Sequence, residues 1–319
     1  MKKKIFPIIL FFLLFSTLSV NSQSINQKKK ENPTSDKAKL NENRMQSNKT
    51  NTDSQGNSLL RCFVLVGIPA GTVIYGLTAW DWGKKKEWQW GNENWFAQNT
   101  DSGGADKAGH AFAHYLIMRT SYGILDYTEK NGFDKWFYSV LMASLIGVGI
   151  EVGDALSGKY GFSYEDIVVD FAGIGMGILL ESFPVLDSFV GFSAEYWPSR
   201  GFRNYKKRSM YNFAGDYSGW KFMANFKLAG LEYIGLNVPG FLRYIMFDAG
   251  YYTKNFTKYD NYIGKTDKKR HWVYGISINL SEVVSDFYSN KKSTLCRLSK
   301  QPFNYYHIPI GYSHNSVIE

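Results

Sequence analysis

Four long apolar segments, followed by a change of hydrophobic period, constrain the fold of this chain most strongly. The segments cover 60–79, 110–125, 133–156 and 167–183. Each is apolar on most of its faces and is separated from the next by Gly, Trp or charged residues, which predicts four helices. Beyond about Arg203 the period changes from helical to two, so the second part of the chain is predicted to form strands.

Two stretches alternate clearly between apolar and other side chains. One contains Trp220, Phe222, Ala224, Phe226 and Leu228, and the other contains Trp272, Tyr274, Ile276, Ile278 and Leu280. A less regular third strand is predicted within 241–256. This pattern indicates an antiparallel meander with one apolar, aromatic face. The predicted fold class is therefore α+β, with an N-terminal bundle of about four apolar helices followed by a small antiparallel β-meander.

The beginning of the chain predicts export. Lys2–Lys4 form a positive region, 5–18 are mainly apolar, and the small residues Val20 and Ser22 precede a cleavage point at Gln23. This order is typical of a secretory signal peptide, 1–22, although an uncleaved anchor stays open. We expect an exported protein, located in the periplasm or associated with a membrane of the cell envelope.

The rest of the chain divides by composition. Residues 23–58 contain no aromatic side chain and few apolar ones, so a disordered linker is predicted there. The helical bundle is assigned to 59–200 and the β-rich region to 201–319.

The number of cysteines and the net charge limit the classes of function that the chain can have. Two cysteines, Cys62 and Cys296, do not make a disulfide framework, and either one bridge or two free thiols is compatible with them. Neither lies at the cleavage point, so no lipid-modified cysteine is expected there. The formal net charge is +9 and is spread over short basic runs. In an exported protein such runs favour solvated loops or contact with anionic lipid headgroups over contact with nucleic acid. The predicted partners are membrane lipids or another envelope protein, and not nucleic acid.

The first apolar segment could cross a membrane. It is long enough, and it ends at Trp80, Trp82 and Lys84–Lys86, as spans often do. Pro69 and several glycines suit a helix packed inside a bundle instead. We predict a membrane-associated bundle and leave the number of spans open.

Ionisable residues interrupt three of the predicted helices. Asp106, His110 and His114 follow one another at intervals of four residues and lie close to one helical face, whereas Lys107 is expected to point elsewhere. The third helix carries Glu151 and Asp154, and the fourth begins at Ser163 and carries Asp166 and Asp170. Burying such groups without partners costs on the order of several kcal/mol, so the set should bind a cation or form a hydrogen-bond network.

Each member also has a structural explanation. Ser163 and Asp166 fit the capping box that starts a helix. Glu151 could pair with Lys107 or Arg119, and His114 is interpreted as an ordinary core histidine. Asp106, Lys107, Ser163 and Asp166 are accordingly assigned to a structural polar network.

The set has a chemical interpretation as well. The candidates for acid–base catalysis are His110, Glu151, Asp154 and Asp170, and the candidates for metal ligands are His110, Glu151 and Asp170. Imidazole with carboxylates suits zinc, manganese or iron. The common helical metal motifs, a serine nucleophile elbow and a phosphate loop are missing, and no cofactor-binding motif is found. A divalent metal is possible and is not favoured, and whether the chain is an enzyme stays undecided.

The order of these motifs resembles a known family. Asp106-Lys107-x-x-His110, Glu151-x-x-Asp154 and Gly161-Phe162-Ser163-x-x-Asp166-x-x-x-Asp170-x-x-Gly173 are similar to the YfiM-like exported bacterial proteins, in the long Bacteroidetes-type version. These are proteins of unknown function that are often described as periplasmic lipoproteins. A looser similarity runs to VanZ-like membrane proteins. The resemblance covers roughly 95–181. It implies that eight polar residues belong to one constellation: Asp106, Lys107, His110, Glu151, Asp154, Ser163, Asp166 and Asp170. At the position of Asp170, the longer relatives and the VanZ-like proteins frequently have asparagine.

Two functions follow from these observations. The favoured one is a non-catalytic, membrane-associated structural or interaction protein of the cell envelope with a buried His/Asp/Glu network. In it, the aromatic meander packs on the bundle or on the outer membrane. The alternative is an envelope hydrolase, with or without a metal ion, that acts on a lipid or a cell-wall-linked substrate.

Overall fold

Four long helices open the structure, a computed structural model that describes residues 56–91, 93–128, 132–206, 212–291, 293–307 and 311–318. The predicted signal peptide and most of the predicted linker lie outside these residues. The helices are α1 (Gly56–Ala79), α2 (Ala105–Tyr127), α3 (Gly132–Ala155) and α4 (Tyr164–Ser182). Helix α1 contains one π-helical turn at Phe63–Gly67. All four predicted helices are present, and each covers nearly all of its predicted range.

A five-stranded antiparallel sheet follows, with its strands in the order in which they occur along the chain. The strands are β1 (Val190–Tyr196), β2 (Trp220–Lys227), β3 (Ile245–Lys254), β4 (Lys269–Ile278) and β5 (Gly311–Ile318). Short helices connect them: α5 (Pro184–Phe189), α6 (Arg200–Asn204), α7 (Lys258–Tyr262), α8 (Leu280–Ser285) and α9 (Thr294–Tyr305). The predicted α+β class and the meander are confirmed. The domain division stays a prediction, and β1 begins upstream of residue 201.

Helix α2 joins the two halves of the molecule. It packs against α3 and α4 on the helical side and against α9 and strand β2 on the sheet side. Phe112 and Tyr115 of α2 share one apolar cluster with Ala194 of β1 and Phe222 of β2. A second cluster joins α2 to α3 and α4. The central helix is therefore buried along most of its length.

A glycine sets the distance between α2 and α4. A Cβ at Gly173 would lie only 2.0 Å from the backbone oxygen of Ala111. No side chain fits at that position, so Gly173 lets the two helix backbones touch. This close approach brings the first turns of both helices, with their charged residues, into contact.

The apolar face of strand β4 is exposed. On β4 the apolar side chains Trp272, Tyr274, Ile276 and Ile278 are exposed, whereas His271 and Val273 are buried. The alternation was predicted correctly, but these residues do not pack on the helical bundle. The period of a strand defines its two faces without showing which face is covered.

The two cysteines are free. Cys62 is exposed and Cys296 is buried, so they do not form the bridge that the sequence left open.

Candidate functional site

A buried lysine gathers three carboxyl groups at the start of α2. The side chain of Lys107 is fully buried, and its Nζ lies 2.8 Å from Asp166 Oδ1 and 3.6 Å from Asp106 Oδ2. The same ammonium donates a hydrogen bond to Glu93, which precedes the helix. A buried ammonium is tolerated only with such partners. The cluster therefore ties α2 and α4 to the segment before α2.

One turn further along, two histidines hold one carboxylate. His110 Nδ1 lies 3.0 Å from Asp170 Oδ1, and His114 Nδ1 lies 2.7 Å from the same oxygen. His114 Nδ1 also lies 2.9 Å from the backbone oxygen of His110. Both Nδ1 atoms face oxygen acceptors, so we assign a proton to each of them. Asp170 is thus held between two donors and is 1% exposed.

The cluster has an open edge on the side of Asp106. His110 Nε2 lies 4.0 Å from Asp106 Oδ1, and these side chains are 17% and 20% exposed. The hydroxyl of Tyr217, just before β2, donates a 2.8 Å hydrogen bond to Asp106 Oδ1. The His110 Nε2 atom and the Asp106 carboxylate are therefore accessible, unlike Lys107 and Asp170.

Helix α3 contributes a carboxyl group that fixes the start of α4. Glu151 is 1% exposed, and its Oε2 accepts a 2.8 Å hydrogen bond from the backbone N–H of Ser163. Ser163 Oγ accepts from the N–H of Asp166, as a helix N-cap does. The predicted capping role of Ser163 is confirmed. In a full capping box the side chain of Asp166 would accept from the N–H of Ser163, but here Glu151 accepts that hydrogen bond. The suggestion that Glu151 pairs with Lys107 or Arg119 is wrong.

A glycine of α3 closes the cluster from the inside. A Cβ at Gly147 would lie 2.7 Å from Asp170 Oδ2 and 3.0 Å from His114 Nε2. Neither atom has a hydrogen-bond partner within the described part of the chain. The inner side of the Asp170–His114 pair is therefore sealed by a helix backbone, with no room for a ligand.

Asp154 lies apart from this core. Its Oδ1 accepts a 2.6 Å hydrogen bond from the indole N–H of Trp82, in the loop after α1. Gly153 packs against the same indole ring. Asp154 therefore anchors the loop that runs from α1 toward α2.

The pKa values of the cluster move in opposite directions. Burial disfavours the ionised form of Asp170, but hydrogen bonds from His110 and His114 outweigh it and lower the pKa of this carboxyl. Burial likewise opposes the cationic form of His110, yet Asp166, Asp170 and Asp106 hold its pKa well above the usual value. His110 and Asp170 therefore each favour the ionised form of the other.

The carboxyl groups around Lys107 behave differently from one another. Burial raises the pKa of Glu93 to about 8, with Asp106 and Asp166 adding to the effect. Burial also raises the pKa of Asp166. For Asp106, burial is outweighed by the positive charges of His110 and Lys107, which lower the pKa. The cluster therefore holds a proton among closely spaced carboxyl groups, a property common in functional sites and in structural networks alike.

A second ion network lies toward the other end of α2. Arg119 donates to Glu181 at 3.0 Å and to both oxygens of Asp187, at 2.6 and 3.0 Å. Arg297 of α9 donates to Asp126 at 2.6 Å and to Glu181 at 3.3 Å. These pairs tie the helical half to the helices around the sheet.

The structure brings together seven of the eight residues assigned to the constellation and leaves Asp154 at its margin. Sequence reasoning missed Glu93, Tyr217 and the contact between His114 and Asp170. Glu93 and Tyr217 lie in irregular segments and carry no periodic signal. His114 was four residues from His110, and that spacing was the available sign of a shared face.

Comparison with known proteins gives one match. Residues 92–182 match a family model described as predicted periplasmic lipoprotein (DUF2279). The protein is exported and associated with the cell envelope. The matched segment runs from the loop before α2 to the end of α4, so it contains the polar cluster except Tyr217. The match supports an uncharacterised exported family, which agrees with the predicted location. No curated protein and no solved structure matches the chain.

Proposed function

We propose that the protein is a non-catalytic, membrane-associated structural protein of the cell envelope, related to the YfiM-like proteins. The observation that carries the proposal is that both halves expose large apolar side chains and bury charged ones. Charged side chains such as Lys107, Arg119, Glu165 and Asp170 are buried, while large apolar side chains are exposed. A protein surrounded only by water gains nothing from this arrangement, whereas one in contact with lipid does.

The helical half supplies one apolar surface. Helices α1 and α3 are each 24 residues long and apolar enough to cross a membrane. On α3 the exposed side chains include Phe137, Leu145, Val148 and Val152, whose spacing places them on one face. Helix α4 exposes Val168, Phe171 and Leu179. This surface fits acyl chains.

The sheet supplies the second apolar surface, and its chemistry favours lipid over a protein partner. Along the outer face of β4 the side chains change from Ile278 and Ile276 to Tyr274 and Trp272, and then to Arg270. Aliphatic, aromatic and basic residues in this order match the acyl region, the interface and the anionic headgroups of a membrane.

Neighbouring strands widen that surface. Phe226 of β2, Phe247 of β3, Ile276 of β4 and Tyr312 of β5 occupy one row across the sheet, and all four are exposed. A continuous row over four strands is larger than scattered apolar residues on an ordinary surface. We therefore assign this face to membrane contact.

The proposal is tested by vesicle flotation of the full chain, after detergent removal in the presence of vesicles that contain phosphatidylglycerol. The wild-type protein should float with the vesicles. Replacing Trp272, Tyr274 and Ile276 together by Ser should lower the partition coefficient at least about tenfold, because three exposed apolar contacts are lost.

The matched control is Phe287→Ser, since Phe287 is 84% exposed but lies outside both surfaces. It should leave flotation unchanged. Wild-type protein that remains at the bottom of the gradient, or equal loss in the control, would contradict the proposal and point to a protein partner.

A hydrolase is the second candidate, because of one feature of the cluster. Asp170 orients His110 through Nδ1 and leaves Nε2 at the open edge, where a protonated ring could act as a general acid. Against it, Glu151 and Asp170 are each 1% exposed and cannot touch a substrate. Incubation with phospholipid vesicles or peptidoglycan, followed by mass spectrometry, tests this candidate. Products that disappear in His110→Gln would support it.

A further inference from the structure

We propose that Asp106, His110 and Asp166 form a binding site for one first-row divalent transition-metal ion, such as Zn²⁺ or Mn²⁺. Asp106 and His110 lie one turn apart on α2, and Asp166 lies in the first turn of α4. One donor atom from each of the three residues lies within 4.8 Å of the other two. A single ion about 2.1 Å from each donor needs only small side-chain rotations to satisfy all three.

The histidine is already oriented as a ligand. Its Nδ1 is bonded to Asp170, which directs Nε2 toward Asp106. No hydrogen bond to His110 Nε2 is found within the described ranges. A metal-binding histidine commonly donates its other ring N–H to a carboxylate, which fixes the ring and raises its basicity. His114 holds Asp170 in turn, at 2.7 Å.

The charges around the site favour a cation. Asp106, Asp166 and Glu93 surround one lysine, and Asp170 lies behind His110. A carboxylate has two oxygens, so Asp166 can bind Lys107 and an ion at the same time. A divalent ion would replace the protons that His110 Nε2 and the closely spaced carboxyl groups hold, since metal binding releases protons from its ligands.

The exposure of the site and the types of ligand atom determine which metal ion it can bind. Asp106 and His110 are each about one-fifth exposed, so an ion can reach them from solvent. One imidazole with two carboxylates suits zinc, manganese or iron. Calcium takes six to eight oxygens, more than these residues supply.

The neighbouring group of His110, His114 and Asp170 is a supporting layer and not a second site. Both histidines direct an Nδ1 atom at Asp170 Oδ1, and Gly147 closes the inner side. An ion there would have to replace the N–H groups that hold Asp170.

The test uses the purified full chain in detergent, stripped of metal with a chelator and then titrated with Zn²⁺ and Mn²⁺ by calorimetry. We expect one ion per chain. Asp106→Asn, which keeps the shape of the side chain, should weaken binding at least tenfold, and Asp170→Asn should weaken it about 10- to 100-fold through the orientation of His110.

The control is His307→Gln, since His307 is a buried histidine between two carboxylates in the sheet half. This variant should bind the metal ion with the same affinity as the wild type. Cobalt loading gives a second readout that needs no variant, because a bound Co²⁺ with nitrogen and oxygen ligands absorbs visible light more strongly than the aqueous ion.

Absence of stoichiometric binding, or equal affinity of wild type and Asp106→Asn, would overturn the site. Failure of this test leaves vesicle flotation unaffected, so the ion site and the membrane proposal are judged separately.

Discussion

At the scale of single residues, the sequence predicted the partners on one helix better than those between segments. Asp106 and His110 share a face because they are four residues apart, and helix geometry alone requires it. The contacts of Lys107 with Glu93, and of Asp106 with Tyr217, depend on how irregular segments fold back. No local pattern encodes such contacts, which explains why the outer edge of the site was missed.

A buried histidine in the sheet half gives a prediction of pH dependence. His307 Nε2 lies 3.3 Å from Asp248 Oδ2, and Nδ1 lies 3.6 Å from Glu195 Oε2. Burial alone would lower the pKa of His307, but the two carboxylates outweigh it and raise the pKa to about 9. The histidine therefore binds its proton more tightly in the folded than in the unfolded protein, whose pKa is about 6.5.

The stabilisation is complete below about pH 6.5 and is lost as the pH rises through about 9. We expect the difference in unfolding free energy between wild type and His307→Gln to shrink by up to about 3 kcal/mol between pH 6 and pH 10. Chemical denaturation of both proteins across this range measures it. A difference that is independent of pH would show that the ion pairs at His307 do not form.

At the scale of elements, the helices were predicted well because their apolar segments are long and bounded by glycine or charge. Strands β1 and β5 were missed, since their sequences alternate less clearly than those of β2 and β4. Whether the apolar face of β4 packs on the bundle or on a membrane was left open by the sequence. Alternation reports that a strand has two unlike faces, and the surroundings decide which face is buried.

The contact between α2 and α4 can be tested at a single position. Gly173→Ala would place a Cβ 2.0 Å from the backbone oxygen of Ala111, so the helices must separate. We expect a loss of about 1–3 kcal/mol or more in unfolding free energy. Gly175→Ala on the same helix is the matched control, because a Cβ there has no neighbour within 4 Å.

The control should be neutral or should stabilise the protein by up to about 1 kcal/mol, through the higher helix propensity of alanine. Thermal or chemical unfolding in detergent distinguishes the two variants. Equal effects of both substitutions would mean that the close approach at Gly173 is absent.

At the scale of the whole molecule, the charge distribution is the property that relates structure to location. Both the helical half and the sheet half bury several charged side chains and expose several large apolar ones, beside an apolar core. The α+β class and the exported, envelope-associated location were predictable from segment order and from the beginning of the chain. Which side chains are buried required the structure, because burial depends on contacts between segments that are distant in sequence.

Photo-cross-linking to lipid measures this property directly. Full-length protein in vesicles that carry a photoactivatable phospholipid is irradiated, digested and analysed by mass spectrometry. The account predicts lipid adducts on the exposed face of β4, at Trp272 to Ile278, and on the α3 face at Leu145 to Val152, with few adducts near Phe287. Adducts spread evenly over the surface, or absent from both faces, would contradict it.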